Sequence, residues 1–278
     1  MTWKVSGYAA EELIGFGASG EVWRGVEIAT GEVVALKRLR EVSEPARDRL
    51  RREAAVMAEL DHPHLLRLRA AVRDTTDDAT VETLVVDYAA RGSLAALLRV
   101  RPRLTPGEVV TIIAPIAAAL AYVHDEGLVH GDVAPANILF TSEGRPMLAD
   151  LGIARALGAD GPAAATPDYL DPVIARGGAP GQRSDVFSLA AVAFHALTGV
   201  PPWNASAPED TISVARGGEP PDLASLAPDV PAELVETVRR GLALDPGARG
   251  SAAELALDVR CSCRPEPVDL ADARASAV

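Results

Sequence analysis

The spacing of apolar residues changes about a third of the way along the chain. Within residues 1–90, apolar and polar side chains alternate in short runs between glycine-containing turns, which is typical of β-strands. Pro45–Leu60 has apolar residues three and four positions apart instead, which predicts one helix. The runs predicted as strands are Val22–Val26, Val33–Leu39, Leu65–Val72 and Thr83–Tyr88.

After residue 90 the spacing becomes helical. The longest helical run, Pro106–Glu126, is apolar on most of its circumference, which indicates a helix buried in a core. From Arg264 onward, Pro, Asp and Ala dominate and the periodicity is lost. Shorter helices are predicted at Ser93–Arg99, at Ser184–Leu197 with Ser184 as its N-cap, at Pro231–Leu244 and at Ala252–Arg260.

These boundaries predict an α+β fold with two lobes. Residues 1–90 would form a small β-rich N-lobe with one helix, and residues 91–263 a larger, mainly helical C-lobe. The junction near residue 90 is expected to act as a hinge. Residues 264–278 are expected to form a mobile tail.

Charge and composition exclude several kinds of partner. The 278 residues include 27 Lys and Arg against 39 Asp and Glu, a net charge of −12, which makes nucleic acid and anionic membranes unsuitable partners. The most apolar stretch, Ile112–Val123, is shorter than the roughly 20 residues of a membrane span and contains Pro115. The only two cysteines cannot form a disulfide framework. We therefore expect a cytoplasmic protein with no membrane span in this chain.

The first candidate site is a glycine-rich turn at residues 15–20, with the sequence Gly-Phe-Gly-Ala-Ser-Gly. Glycines let backbone N–H groups approach phosphates closely. A dinucleotide-binding fold would need a helix directly after the glycines, whereas Val22–Val26 alternates as a strand. The turn is therefore expected to join two antiparallel strands, either as a flap over a nucleotide or as an ordinary flexible hairpin.

A lysine and a glutamate form the second candidate site. Lysine occurs only at Lys4 and Lys37 and every other basic residue is arginine, which indicates that position 37 requires a compact ammonium group. Glu53 shares a helical face with Leu50 and Met57, which turns its carboxylate towards the interior. A buried carboxylate needs a partner. Lys37 is the expected one, unless both residues are solvated surface charges.

Three polar residues are expected to converge at a second hairpin. The apolar runs Ile138–Phe140 and Met147–Ala149 are separated by a turn, and their pairing sets Asn137 opposite Asp150. Asp132 lies shortly upstream. Carboxylate and amide oxygens suit a Mg²⁺ ion that carries nucleotide phosphates, and a second Asp can accept a hydroxyl proton. Taken singly, each residue would be a turn-capping side chain.

In this combination the chain resembles a protein kinase domain of the bacterial serine/threonine type, from about Tyr8 to Arg260. The resemblance implies binding of ATP and Mg²⁺ and transfer of phosphate to serine or threonine hydroxyls of a protein substrate. The residues that it implies for nucleotide binding are Gly15, Gly17, Gly20, Val22, Ala35, Lys37, Asp87, Ala89 and Leu139. Those that it implies for catalysis are Asp132, Lys37, Glu53 and Asn137, with Asn137 and Asp150 as metal ligands.

The chain departs from the family pattern at three places. Gly131 stands where the family has an arginine that receives the phosphate of an activation loop, and Ala134 where it has a lysine that contacts the γ-phosphate. Asp171-Pro172-Val173 replaces the motif A-P-E, whose glutamate would pair with Arg249. Asp171 is close enough in sequence to take over that pairing.

These departures leave three functions open. An active protein kinase is favoured because Lys37, Glu53, Asp132, Asn137 and Asp150 are all present. Thr166 is the only serine or threonine between Leu151 and Asp171, which, with the missing arginine at position 131, predicts that activation-loop phosphorylation is not the switch. A pseudokinase that binds nucleotide as a regulatory scaffold is the first alternative. A small-molecule phosphotransferase is the second, because His-Gly-Asp followed five residues later by Asn137 also occurs in antibiotic and choline kinases.

Overall fold

In a computed structural model of the protein, the described residues are 4–17, 20–39, 44–75, 80–151, 166–204 and 208–271. The strands of the N-lobe are β1 Lys4–Val5, β2 Tyr8–Gly17, β3 Gly20–Glu27, β4 Val33–Leu39, β5 Leu68–Thr75 and β6 Thr80–Asp87. They form one antiparallel sheet in the order β1-β2-β3-β4-β6-β5. The glycine-rich turn joins β2 to β3, so the predicted antiparallel connection is confirmed, although residues 18 and 19 lie outside the described residues.

The N-lobe helix packs on this sheet through its apolar face. Helix α1, Glu44–Glu59, sets Leu50 and Ala54 against Leu39, Leu68 and Leu84 of the strands. These side chains alternate along the strands and recur at helical spacing in α1, which is why the two patterns could be recognised in the sequence. The predicted two-lobed α+β fold is therefore confirmed in its first half.

The C-lobe is built around two helices that are buried on most sides, Pro106–Asp125 and Gln182–Thr198. Apolar residues on every face of a helix require neighbours on every face, and the other helices supply them. The elements in chain order are α2 Leu94–Val100, α3 Pro106–Asp125, β7 Ile138–Phe140, β8 Pro146–Leu148, α4 Pro172–Ala175, α5 Gln182–Thr198, α6 Pro208–Gly217, α7 Leu223–Leu226, α8 Ala232–Gly241 and α9 Ala252–Ser262.

Helix starts follow the capping rules, with one correction. At α3, the Thr105 side chain accepts from the Glu108 N–H and the Glu108 carboxylate accepts from the Thr105 N–H, a reciprocal capping box. Helix α5 begins at Gln182 with Gly181 as its N-cap, so the prediction that Ser184 caps this helix is wrong. The N–H of Ser184 already donates to the Gly181 carbonyl, which extends the helix one turn towards its N-terminus.

One described helix, α3, is long and apolar enough to cross a bilayer by length and composition. Inside this protein, 67% of its most apolar window is buried. Because Ile112, Ile116 and Leu120 each lie in the C-lobe core at no more than 1% exposure, its apolar composition is explained by packing.

The segment expected to be a mobile tail is packed on the C-lobe through Leu270. The Glu266 N–H donates to the Gly107 carbonyl at 3.0 Å, and the Thr111 hydroxyl donates to the Glu266 carbonyl at 2.7 Å. Arg101 donates to the Asp269 carbonyl at 3.0 Å, and Leu270 is 3% exposed in the core. The expectation is therefore wrong for residues 264–270, because discrete hydrogen bonds fix a segment that lacks any periodicity. Residues 272–278 lie outside the described residues.

Candidate active site

A short hairpin brings two of the predicted residues together. Ile138 pairs with Leu148 in the antiparallel β7–β8 ladder, and the Ala149 N–H donates to the Asn137 carbonyl at 2.8 Å. Asn137 therefore precedes β7 and Asp150 follows β8 at the same end of the hairpin, but Asn137 lies opposite Ala149, so the prediction that it lies opposite Asp150 is wrong by one residue. Asp150 has φ = +62°, a left-handed conformation that is uncommon for a residue other than glycine and is frequent at functional sites.

The loop before this hairpin is held by a buried aspartate from α5. The Asp185 carboxylate, 1% exposed, accepts the N–H groups of His130 and Gly131, each at 2.8 Å. His124 Nε2 lies 2.9 Å from the same carboxylate. On its other side, His130 Nε2 donates to the Ala149 carbonyl at 2.8 Å, which ties the loop to the strand leading into Asp150. A rigid support of this kind fixes the next residue, Asp132.

Both carboxylate oxygens of Asp132 are engaged. Asn137 Nδ2 donates to Oδ2 at 3.0 Å, and to the Asp132 carbonyl at 2.8 Å. Thr166 donates to Oδ1 through its N–H and its hydroxyl, each at 3.0 Å. Asp132, Asn137 and Thr166 therefore form one hydrogen-bonded unit, in which the amide nitrogen of Asn137 faces Asp132.

The lysine of β4 reaches across the cleft to the C-lobe. Lys37 Nζ lies 2.7 Å from Asp150 Oδ2, and the two side chains are 9% and 38% exposed. Lys37 thus forms its ion pair with Asp150 and not with Glu53, so the expected Lys37–Glu53 pair is not the arrangement in this structure. Glu53 is half-buried on α1.

The residues predicted to bind nucleotide lie on the strands beside the cleft. Gly20 has φ = +145°, and a Cβ there would lie 2.0 Å from the Arg38 carbonyl oxygen. This end of the glycine-rich turn therefore requires glycine. Phe16, on the opposite strand, is 68% exposed. The placements are Gly15 and Gly17 on β2, Gly20 and Val22 on β3, Ala35 and Lys37 on β4, Asp87 at the end of β6, Ala89 just after it, and Leu139 in β7.

The segment after the loop, Thr166–Asp171, is anchored to the C-lobe core. The Tyr169 hydroxyl lies 2.6 Å from His195 Nδ1, and the Trp203 indole N–H donates to the Leu170 carbonyl at 2.8 Å. Burial, with the nearby Asp168 carboxylate, raises the pKa of Tyr169, and burial lowers the pKa of His195. Both side chains are therefore neutral at neutral pH, as a buried hydrogen-bonded pair requires.

Comparison with known proteins supports the resemblance to a protein kinase domain. Residues 8–258 match the protein kinase domain family. The chain belongs to this family. It is 31% identical over 274 residues to a probable serine/threonine-protein kinase of Streptomyces coelicolor, covering 94% of this chain and 40% of that protein. It is 35% identical to the serine/threonine-protein kinase PknD of Mycobacterium tuberculosis, covering 90% of this chain and 39% of PknD. For PknB of the same species the identity is 31%, covering 91% of this chain and 42% of PknB.

The chain is thus a protein kinase domain of the bacterial serine/threonine type, a transferase by family. It spans about two fifths of the length of these relatives.

Two of the departures from the kinase pattern lie in the loop that contains Asp132 and precedes the β7–β8 hairpin. Gly131 has φ = +82°, and no atom lies within 4 Å of the place where its Cβ would be. Ala134 is 1% exposed and packs in the C-lobe core, where the family has a lysine near the γ-phosphate. The loop of this kinase domain therefore carries neither cation at these two positions.

The third departure is compensated. Asp171 accepts two hydrogen bonds from Arg249, at 2.7 and 2.9 Å, and the two side chains are 1% and 0% exposed. The suggestion that Asp171 takes over the pairing with Arg249 is confirmed by this contact. The aspartate side chain, which is shorter than the glutamate of the motif A-P-E, thus anchors the end of the segment Thr166–Asp171.

Sequence reasoning missed how the kinase site is supported. The Asp185 carboxylate holds the backbone of the loop at His130 and Gly131, a support that was not predicted. The contact of Thr166 with Asp132 was not predicted either. No signal in the sequence indicated either contact, because both join segments more than 30 residues apart. Of the expected activation-loop stretch between Leu151 and Asp171, residues 152–165 lie outside the described residues.

Proposed function

We propose that the chain is an active ATP-dependent protein kinase domain that phosphorylates serine or threonine hydroxyls of a protein substrate. The observation that carries the proposal is the pair of contacts on the two sides of the cleft. Lys37 bonds to Asp150, and Asp132 bonds to Asn137 and Thr166. An acid–base group and a phosphate-side cation are thus held in one cleft, as phosphoryl transfer requires.

The donor set beside Asp132 fits Mg²⁺. Among the residues that the structure describes, no cluster of three or more His, Cys, Asp or Glu side chains could hold a metal alone. Asn137 and Asp150 offer an amide oxygen and a carboxylate, which suit an ion that takes its other ligands from water and phosphates. When bound, Mg²⁺ would neutralise charge on the β- and γ-phosphates of ATP.

The chain's own residues supply position and proton transfer. Lys37 would leave Asp150 to bind the α- and β-phosphates, while the backbone of Asp87 and Ala89 would hold the adenine. The substrate hydroxyl would approach Asp132, which accepts its proton as the new bond to the γ-phosphorus forms and the bond from phosphorus to the β–γ bridging oxygen breaks. ADP leaves with the electrons of that bond. Thr166 and Asn137 would keep the Asp132 carboxylate in place throughout.

The same observations support control by something other than activation-loop phosphorylation. Gly131 offers no guanidinium to a phosphate, and Asp171 is already anchored to Arg249 without one. Stoichiometric phosphate between Leu151 and Asp171, where Thr166 is the only serine or threonine, accompanied by a large rise in activity, would overturn this part of the proposal.

A pseudokinase is the second candidate because of Ala134. Loss of a charge-stabilising lysine costs on the order of 10²-fold in rate, which would leave nucleotide binding without useful turnover. The two functions differ in turnover alone. In either case the ATP requirement supports a cytoplasmic position for this domain.

The deciding experiment measures transfer of γ-labelled phosphate from Mg-ATP to the protein itself, to a generic basic protein and to a small aminoglycoside or choline acceptor, with nucleotide binding followed in parallel. We expect labelling by wild type, loss of at least about 10³-fold in Asp132→Ala and Asp132→Asn, and unchanged binding. Asp125→Ala, which removes an exposed aspartate at the end of α3, is the matched control and should label like wild type.

Binding without labelling in wild type would replace the kinase by the pseudokinase, with Ala134 as the leading cause. Labelling of a small aminoglycoside or choline acceptor only would support the small-molecule enzyme.

A further inference from the structure

The chain leaves the N-lobe at Asp87 and Tyr88, and these two residues are held by arginines to which the proposed function assigns no role. Arg69 Nε donates to Asp87 Oδ1 at 2.6 Å. The Arg24 guanidinium lies 5.9 Å from the centre of the Tyr88 ring, within the range of a cation–π contact. Consecutive residues of the junction are therefore each held by a cationic side chain of the sheet.

Arg69 owes its position to an irregularity in strand pairing. In the β5–β6 ladder Leu68 pairs with Val86 and Ala70 with Val85, which leaves Arg69 as an extra residue between them. A bulge of this kind redirects a side chain and is common beside active sites. The guanidinium of Arg69 consequently contacts two carboxylates, those of Asp87 and of Glu32 before β4.

The chemistry of this contact suits arginine in particular. One planar guanidinium donates through Nε to Asp87 and through Nη1 to Glu32, an arrangement that the single nitrogen of lysine reproduces poorly. Hydrogen bonds from Arg69 to Asp87 and then to Glu32 raise the pKa of Arg69, so the contact persists across the physiological pH range. The main chain of Asp87 is fixed as well, since its N–H donates to the Arg67 carbonyl at 3.1 Å.

We propose that Arg69 is a positioning residue for nucleotide binding, which acts by holding Asp87 so that the backbone of Asp87 and Ala89 faces the adenine. The inference rests on the proposed function in assigning that backbone to adenine. It adds a residue of the N-lobe sheet that touches neither ATP nor the reacting atoms. Its effect falls on affinity for ATP, because the phosphates and Asp132 are held by other elements.

The kinetic test compares Arg69→Gln with wild type. We expect the KM for ATP to rise about two- to fourfold, as for a partly exposed ion pair, with kcat unchanged. Arg67→Gln removes the same charge from an exposed neighbour and should leave both constants unchanged. Arg69→Lys should restore part of the loss. In the double variant with Asp87→Asn the two effects should not add, because both act on one contact. An equal change in Arg67→Gln, or a fall in kcat with constant KM, would overturn the proposal.

A second measurement separates this inference from the proposed function. Hydrogen exchange at the amides of residues 87–89 is followed in wild type and Arg69→Gln without nucleotide, so it does not depend on turnover. Faster exchange in the variant, with an unchanged unfolding temperature, supports the positioning role even if wild type proves inactive. Unchanged exchange overturns it, whereas a wild type that binds ATP but transfers no phosphate would overturn the proposed function alone.

Discussion

Arg249 and Asp171 meet in the interior of the C-lobe, whereas Lys37 and Asp150 meet in the cleft between the lobes. The first pair is 0% and 1% exposed, and Arg249 also donates to the carbonyls of Ala243 and Arg183. The second pair is 9% and 38% exposed and is joined by a single hydrogen bond of 2.7 Å. Both join segments far apart in sequence, so each contributes to tertiary structure.

The difference separates a structural ion pair from one that we propose to be functional. A guanidinium with several satisfied donors over the Phe187 ring, at 4.9 Å, has no use for another ligand. An ammonium group with one partner in an open cleft can exchange that partner for a phosphate oxygen. The chain places arginine at the first position and one of its two lysines at the second, which agrees with this division.

Breaking the buried pair is expected to have the largest effect. Arg249→Met leaves the Asp171 charge buried without its partner, so we expect the free energy of unfolding to fall by about 3–5 kcal/mol. Urea unfolding followed by circular dichroism measures it. Arg239→Gln, which breaks an exposed pair with Glu236, is the control and should unfold like wild type. The double variant Asp171→Leu/Arg249→Met should lose less unfolding free energy than Arg249→Met alone. A loss in Arg249→Met as small as in Arg239→Gln would show that the buried pair stabilises the fold no more than an exposed pair does.

Breaking the cleft pair should act on turnover and leave stability alone. Lys37→Met is expected to reduce phosphate transfer by at least about 10²-fold, equivalent to about 2.7 kcal/mol, because it removes the cation proposed to hold the α- and β-phosphates. The unfolding free energy should stay within about 1 kcal/mol of wild type, since Asp150 remains accessible to water. Labelled-phosphate transfer and urea unfolding measure the two quantities.

Lys4→Met is the matched control because Lys4 is the only other lysine in the chain. Its turnover should equal that of wild type. If Lys37→Met kept wild-type turnover, Lys37 would have no part in the mechanism, and the cleft pair would have to be regarded as structural.

The parts of this site that depend on local spacing were predictable. Asn137 and Asp150 flank a hairpin, so counting residues places them at the same end of it, although the observed register sets Asn137 opposite Ala149 and not opposite Asp150. The strand Val33–Leu39 was likewise predicted with its observed bounds, because alternation and flanking turns mark it.

The parts that depend on distant contacts were not predictable from one sequence. Lys37 was expected to meet Glu53, but it pairs with Asp150, which lies 113 positions later in the other lobe. The segment around Glu266 has no periodicity, and its order comes from hydrogen bonds to residues more than 150 positions earlier. Helix α6 has no counterpart among the predicted elements.

An ion pair of intermediate exposure sharpens the comparison further. Glu108 is 5% exposed at its side chain and its partner Arg101 is 28% exposed. Burial alone would raise the pKa of Glu108, but hydrogen bonds from Arg101, Thr105 and Asp269 outweigh it and hold the pKa below its ordinary value of 4.5. Glu108→Gln should therefore cost about 1–2 kcal/mol of unfolding free energy at neutral pH, less than Arg249→Met.

The pH dependence of that cost follows from the direction of the shift. Since the folded-state pKa lies below the unfolded value of 4.5, the stabilisation by Glu108 is complete above that pH and is lost as the pH falls through the folded-state value. Urea unfolding of wild type and Glu108→Gln between about pH 3 and pH 7 should give a difference that is constant near neutrality and shrinks in acid. If the difference in unfolding free energy between wild type and Glu108→Gln were the same at every pH, Glu108 would act through its shape and neutral hydrogen bonds. The Glu108–Arg101 ion pair would then belong with the exposed ion pairs.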